Sequence, residues 1–250
     1  MFGHDTELFA MNSDGSLASV IGLIGGTKDD PRIVPDGTLQ EDNISAEFAV
    51  NCTDDIDLLW NRTVSVRQQL EEIAEEHGLR LVAVPSVECP PEVAKEWGPA
   101  ALESGCDPDL NIYTGENNTY PDPSETSYRG GSGHIHMDCN PAAAEIIVPA
   151  LDYCIKLPLI AKFGGSVRDL YHGCPGNYRI KPYGIEYRSP DNRIVDDEDL
   201  FKEVIARARR VIRGEFWGQQ HTHGIALAGL DGRVPEEFIR DLVSSEGLEL

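Results

Sequence analysis

Ten residues, Arg129 to Asp138, constrain this 250-residue chain more than any other stretch. They read Arg-Gly-Gly-Ser-Gly-His-Ile-His-Met-Asp. Three glycines in four positions free the backbone to run close against another group. His134, Ile135, His136 and Met137 then alternate polar with apolar, as a half-buried strand does. That alternation puts His134 and His136 on one strand face, about 7 Å apart. Such a pair suits a metal ion, a phosphate or both, and it also occurs in ordinary β cores and on wet faces. The glycines and the flanking Arg129 weigh toward a ligand, since neither is needed to make a strand.

Other segments are read around this one. His4 to Ala10 reads as a first strand with Asp5 and Glu7 on one face. Two carboxylates so placed repel unless a cation lies between them or the face is solvated. Ser19 to Gly26 reads as a second strand, followed by a polar loop from Thr27 to Thr38. The Gly25-Gly26-Thr27-Lys28 run lacks P-loop spacing, so Lys28 is expected on the surface, within reach of a phosphate at most. Leu39 to Val50 reads as a further strand, with Glu47 the one charged side chain of its alternating part. The spacing predicts a helix over Asn61 to His77, capped by Asn61 and stopped by Gly78. A strand over Leu79 to Val84 and a loop with a short helix over Pro85 to Trp97 follow.

Gly98 to Ser127 is rich in Gly, Pro, Asn, Asp and Ser and reads as a long ordered loop or an active-site cover rather than a linker, and substrate specificity is expected to lie there. Cys106, Asp107, Asp109 and Asn111 lie in it, but Cys106 has no partner base in sequence. Pro141 to Lys156 has helical periodicity, broken by Pro158 and Gly164-Gly165. Tyr171 to Asp191 then gathers Arg179, Lys181, Glu186 and Arg188. Asp196 to Arg213 is a strong helix with a basic end. Pro235 to Leu242 is a short helix within a C-terminal extension, 214–250. The chain is expected to form one domain, 1–250.

Composition narrows function. There are 43 acidic against 21 basic residues, a net charge of −22, and six of the basic residues are lysines. Such a field repels nucleic acid and anionic membranes, so an anionic substrate must be met by local arginine clusters and metal ions. An acidic, lysine-poor surface also suits a high-salt cytoplasm, a halophilic expectation. The six cysteines stand singly, which argues against a zinc knot or a disulfide framework. No apolar run approaches eighteen residues, and the first ten lack the features of a signal peptide, so a soluble cytoplasmic protein is expected.

Three separated motifs resemble the glutamine-synthetase-like carboxylate-amine ligases, most closely the small phage-type COOH-NH2 ligases. Phe2-Gly3-His4-Asp5-Thr6-Glu7-Leu8-Phe9 is similar to the family's first active-site strand, with two acidic metal ligands spaced by one residue. Gly131-Ser132-Gly133-His134-Ile135-His136 is similar to its Gly-Ser-Gly-x-His-x-His strand, one residue shorter. Ile185-Glu186-Tyr187-Arg188-Ser189-Pro190-Asp191 is similar to its Glu-x-Arg strand with the following Pro-Asp. The resemblance implies an α+β fold: a curved, mostly antiparallel sheet with the active site on its concave face and helices on the other. It implies an ATP-dependent ligase using Mg2+, with Mn2+ as an alternative. Asp5, Glu7, Glu47, His134 and Glu186 would hold metal, and Glu186, Arg179 and Arg188 would be catalytic. His136, Arg179, Arg188, Lys181 and Arg129 would contact nucleotide. The substrates would be a small-molecule or peptide carboxylate and an amine donor, and the location the host cytoplasm if the chain is virally encoded. Departures are Asp5 where glutamine synthetase has Glu, an unclear acidic partner for Glu47 with Asp42 the candidate, and no room for that enzyme's separate N-terminal domain. The oligomeric state is therefore left open.

Three rivals stand beside this reading. A guanidino-kinase-type phosphotransferase would use the same arginine and carboxylate set. A metal-dependent hydrolase would use His134, His136, His221 and His223. An acidic binding or virion protein would use none of them. On the ligase reading, Glu186→Ala and Arg188→Ala abolish ADP formation while leaving the fold intact.

Overall fold

The computed structural model describes residues 1–103, 109–215 and 236–250. Helices and an antiparallel sheet that does not close on itself make up the architecture, which is α+β. The strands are β1 (Phe2–Met11), β2 (Leu17–Ala18), β3 (Arg32–Val34), β4 (Gly37–Asp42), β5 (Ser45–Thr53), β6 (Arg80–Val82), β7 (Ser86–Glu88), β8 (Leu110–Asn111), β9 (Tyr128–Gly130), β10 (Gly133–Asp138), β11 (Asn177–Lys181) and β12 (Gly184–Tyr187). The helices are α1 (Ile56–Glu76), α2 (Pro91–Glu96), α3 (Ala144–Leu151), α4 (Leu157–Phe163), α5 (Glu198–Ile212) and α6 (Glu236–Ser245). The main sheet runs β3-β4-β5-β1-β10-β12-β11-β8, with β2 and β6 paired to the far end of β1, while β7 and β9 form a separate ribbon.

Alternation along β1 sets the two faces of the sheet. His4, Thr6, Leu8 and Ala10 point into the core with Phe48, Val50, Ile135, Met137, Ile185 and Tyr187. The helices close over that side. On α1, Leu59, Thr63, Val66, Leu70 and Ala74 are buried, a stripe at helical spacing. His4 is a core residue: its Nε2 lies 2.6 Å from Thr63 Oγ1, and Phe48 and Phe201 pack edge-on against its ring. Burial pushes its pKa down to about 3, so it is neutral. Most of the buried apolar residues from β1 through α6 form one continuous cluster, and Phe9, Ile44, Cys89, Ala94 and Ala101 form a second.

Several elements depart from the sequence expectation. Ser19 to Gly26 is not a strand. Gly22 and Gly25 have φ of +79°, and their N–H groups, with that of Ile24, donate to the Glu41 carboxylate. Val20 and Ile24 are buried by packing rather than by pairing. The polar loop expected over Thr27 to Thr38 holds β3 and the start of β4. Leu39 to Val50 is two strands, because Asn43 turns the chain at φ +55° and Asp42 pairs with Ser45. Helix α1 starts at Ile56, five residues before the expected cap. Asp55 is the cap, accepting from Leu58 N at 3.1 Å. Pro158 does not end its helix: the wide π turn Asp152–Lys156 precedes it, and α4 runs on to Gly164. Among the described residues no helix is long and apolar enough to cross a membrane.

Candidate active site

The register of the sheet assembles the site. Asp5 pairs with His134, Glu7 with Glu47, Gln40 with Glu47, His136 with Glu186, and Arg179 with Glu186. Directly paired residues share a face. The face opposite the helices therefore carries Asp42, Glu47, Asp5, Glu7, His134, His136, Glu186, Arg179 and Lys181 in one polar field spanning six strands. An opening of about 620 Å³ lies over it, lined by most of these groups and by Lys28 and Arg188.

In each of two triads the ligand atoms lie within 4.8 Å of one another: Asp5, His134 and Glu186 in one, Glu7, Asp42 and Glu47 in the other. Donors around one divalent ion at 2.0–2.6 Å subtend such separations, and carboxylate oxygens with one imidazole suit Mg2+ or Mn2+. The residues present therefore fit the metal that the resemblance implies. Asp42, the uncertain partner of Glu47, joins Glu7 and Glu47 because the β4–β5 hairpin folds it beside them.

Electrostatics separate the triads. Burial pushes Glu7 up to about 8, with Asp42 close by reinforcing it. Burial likewise raises Glu47 well above the carboxylate range, helped by Asp5, Asp42 and Glu7. A dication is the partner that would let these three ionise together. Asp5 behaves oppositely. Burial alone would raise it, but His134 at 2.6 Å and His136 at 2.8 Å hold it well below its usual value. Glu186 is held down to about 2, burial being outweighed by Arg188 and His134.

The cations form a wall on the β11–β12 side. Lys181 Nζ lies 2.7 Å from Glu186 Oε2, Arg179 Nη1 lies 3.7 Å from Glu186 Oε1, and Arg188 is bonded to Glu186. Both guanidiniums also share Asp109, with Arg179 Nε at 2.7 Å and Arg188 Nε at 2.8 Å from its Oδ1. Asp109 is fully buried and also accepts from Tyr120. Sequence reading placed it in the loop without a role, because the pairing joins positions about seventy residues apart. Arg168 is a second residue that sequence reading missed. Wholly buried, it donates to Ser189 O at 2.9 Å and Arg188 O at 2.8 Å, fixing the end of the Glu-x-Arg strand.

Arg129 is not brought into this wall. Its Nη atoms donate to Thr126, Tyr128, Ala101 and Pro123 carbonyls, so it fastens the loop around the site. The glycines beside it serve packing between motifs. A Cβ on Gly133 would meet Asp191 O at 2.5 Å, and one on Gly131 would meet Val84 O at 2.7 Å. The Gly-rich motif thus docks on the Pro190-Asp191 motif, and Ser132 N donates to Glu7 Oε2 at 3.0 Å. Cys106, Asp107, His221 and His223 lie outside the described residues, as does most of the proposed C-terminal extension.

With this geometry in place, the comparisons bear on identity. No curated protein matches the chain. Residues 124–217 match the family model described as phage phiEco32-like COOH.NH2 ligase-type 2. That span holds the Gly-rich histidine strand and the Glu-x-Arg strand, while β1 and the β4–β5 hairpin lie before it. The family whose motifs the sequence carries is thus the family whose model matches, and over these residues the chain is similar to ligases that join a carboxylate to an amine.

Proposed function

We propose that the chain is an ATP- and Mg2+-dependent carboxylate-amine ligase working through an acyl phosphate, its polar sheet face being the glutamine-synthetase-like active face. One observation carries the reading: a single sheet register lines up two triads of ligand-type side chains, Asp5–His134–Glu186 in contact with the Arg179–Lys181–Arg188 wall and Glu7–Asp42–Glu47 on the strands beyond β10.

A carboxylate is a poor acyl donor, and moving a phosphoryl group onto it builds negative charge on oxygens. Arg188, Arg179 and Lys181 meet that charge in a largely buried setting, where each donor is worth about 2–4 kcal/mol of transition-state stabilisation. Divalent metal bound by Asp5, His134 and Glu186 and by Glu7, Asp42 and Glu47 would neutralise phosphate oxygens. His136 stands beside the first triad with its Nε2 2.8 Å from Asp5, which raises it against the lowering effect of burial.

Glu186 and Arg188 are 2% and 1% exposed and bonded to each other. Removing either outright strands a buried charge at a cost of about 3–5 kcal/mol, so the alanine variants are not expected to leave the fold intact. Glu186→Gln and Arg188→Lys are the cleaner test. With a panel of carboxylates and amines, the wild type should release ADP only when Mg2+, a carboxylate and an amine are all present. Hydroxylamine should trap a hydroxamate. Both variants should lose at least about 100-fold in rate. Wild-type-like turnover in either would remove the reading, and a stable phosphorylated product with no amide would favour the phosphotransferase.

A further inference from the structure

The arginine wall leans on the segment that joins β8 to β9. Asp109 and Tyr120 flank a tight turn there, in which Asn118 N donates to Asp109 O at 2.8 Å and Gly115 N to Asn111 O at 2.8 Å. The turn carries the Tyr120 hydroxyl back onto Asp109 Oδ2, to which it donates. Asp109 Oδ1 is the atom that Arg179 and Arg188 share, 2.7 Å and 2.8 Å from their Nε atoms. One buried carboxylate thus meets both guanidiniums on one oxygen and a tyrosine on the other.

The ring of Tyr120 is held separately. It stacks on His172 with centroids 3.8 Å apart and planes 19° from parallel. The His172 carbonyl accepts from Asn177 Nδ2 at 2.9 Å, and the Asn177 carbonyl accepts from Arg188 N at 3.0 Å. Both ends of Tyr120 therefore lead to Arg188, one through Asp109 and one through the start of β11. Burial and then Asp109 push the Tyr120 phenol above its ordinary range, so it keeps its proton and remains the donor. Pro121 and His172, its neighbours in sequence and in stacking, line a second cavity of about 560 Å³ that shares Glu7 and Asp42 with the metal face.

We propose that Tyr120 is a positioning residue for phosphoryl transfer: its hydroxyl fixes the plane of the Asp109 carboxylate, and that plane sets where Arg179 and Arg188 point. The proposal rests on the ATP-dependent reading. A carboxylate held through one oxygen can swing about its terminal torsion, and a bond to the other oxygen removes that freedom. As an oxygen of the substrate carboxylate bonds to the terminal phosphorus of ATP, the bond from phosphorus to the bridging oxygen breaks, and ADP leaves with that electron pair. Donors misplaced by about 1 Å during such a step cost on the order of 100-fold in rate. Binding of intact nucleotide draws on the charge of the wall, which Tyr120→Phe leaves in place. The segment expected to choose the substrate thereby also supports the arginines that meet the phosphoryl group.

Calorimetry on the whole chain with Mg2+ compares two probes: AMP-PNP, which keeps its terminal phosphate, and ADP with aluminium fluoride, which mimics the phosphoryl group in flight. Tyr120→Phe keeps the ring and its stack. It should weaken the aluminium fluoride complex at least about tenfold and AMP-PNP less than about twofold. In an Asp109→Asn background the same change should add less than about twofold for either probe. A further tenfold loss in that background overturns the route through Asp109. Should Asp109→Asn fail to fold, the split between probes in Tyr120→Phe decides alone. Equal losses for the two probes, or none, overturn the proposal and leave the ATP-dependent reading standing. Failure of the wild type to bind either probe removes both.

Discussion

Asp109 is fully buried between two guanidiniums, so one carboxylate aligns Arg179 with Arg188 while leaving each a second contact, with Glu186. Asp109→Asn keeps the shape and removes the charge. The arginine pair is then undercompensated, and removing one partner of such a buried set costs about 3–5 kcal/mol. The expected result is a lower urea midpoint together with a KM for ATP raised more than that for the amine. An unchanged KM for ATP would make Asp109 purely structural. A second residue sets a pH slope. Asp152 accepts from Tyr187 OH at 2.6 Å and Tyr113 OH at 2.7 Å, yet burial still raises it from 3.8 to about 6. Between those values the folded chain holds the proton and the unfolded chain has lost it, so this group's contribution falls as pH rises. About two units of pKa correspond to roughly 3 kcal/mol. His172 works the other way: the unfolded chain protonates it below 6.5 and the folded chain only near 3, so its contribution rises with pH across that window. The two slopes oppose each other. In Asp152→Asn, urea denaturation from pH 4 to pH 6 should show stability rising more steeply than in the wild type.

At the scale of elements, period-two signals were legible and cross-chain ones were not. Asp5 with Glu7 and His134 with His136 each sit two apart on one strand, and Arg188 follows Glu186 by two just past the end of β12, so the sequence displays these pairs directly. Asp42 and Asp109 reach the same face through a hairpin and a loop, and nothing local announces them. The hairpin was hidden because Ile44, at its turn, continues the apolar alternation. The first half of α1 was hidden for a similar reason: Leu58 and Val64 are exposed while Thr63 is buried, which blurs the apolar stripe. Its true cap is testable. Asp55→Ala should cost about 1 kcal/mol in urea denaturation. Asn61→Ala, exposed inside the helix, should cost nothing or stabilise slightly. Equal losses in the two would mean that the helix begins near Asn61.

At the scale of the whole molecule, a charge of −22 is spread over the chain while the site draws arginine and lysine together. These two populations respond differently to salt. Repulsion among exposed carboxylates acts through water and falls as the screening length shrinks from about 10 Å at 0.1 M to about 3 Å at 1 M. The buried Glu186–Arg188–Asp109 cluster is 2% exposed or less and is screened far less. The melting temperature should therefore climb by several degrees between about 0.1 M and 1 M KCl, since relief of roughly 1 kcal/mol moves a domain of this size by about 2–4 °C. Asp109→Asn should melt lower at every salt concentration while keeping the same slope. A flat wild-type profile would show that the acidic surface is already neutralised. A slope that changes with Asp109→Asn would place the salt-sensitive charges inside the site instead of on the surface.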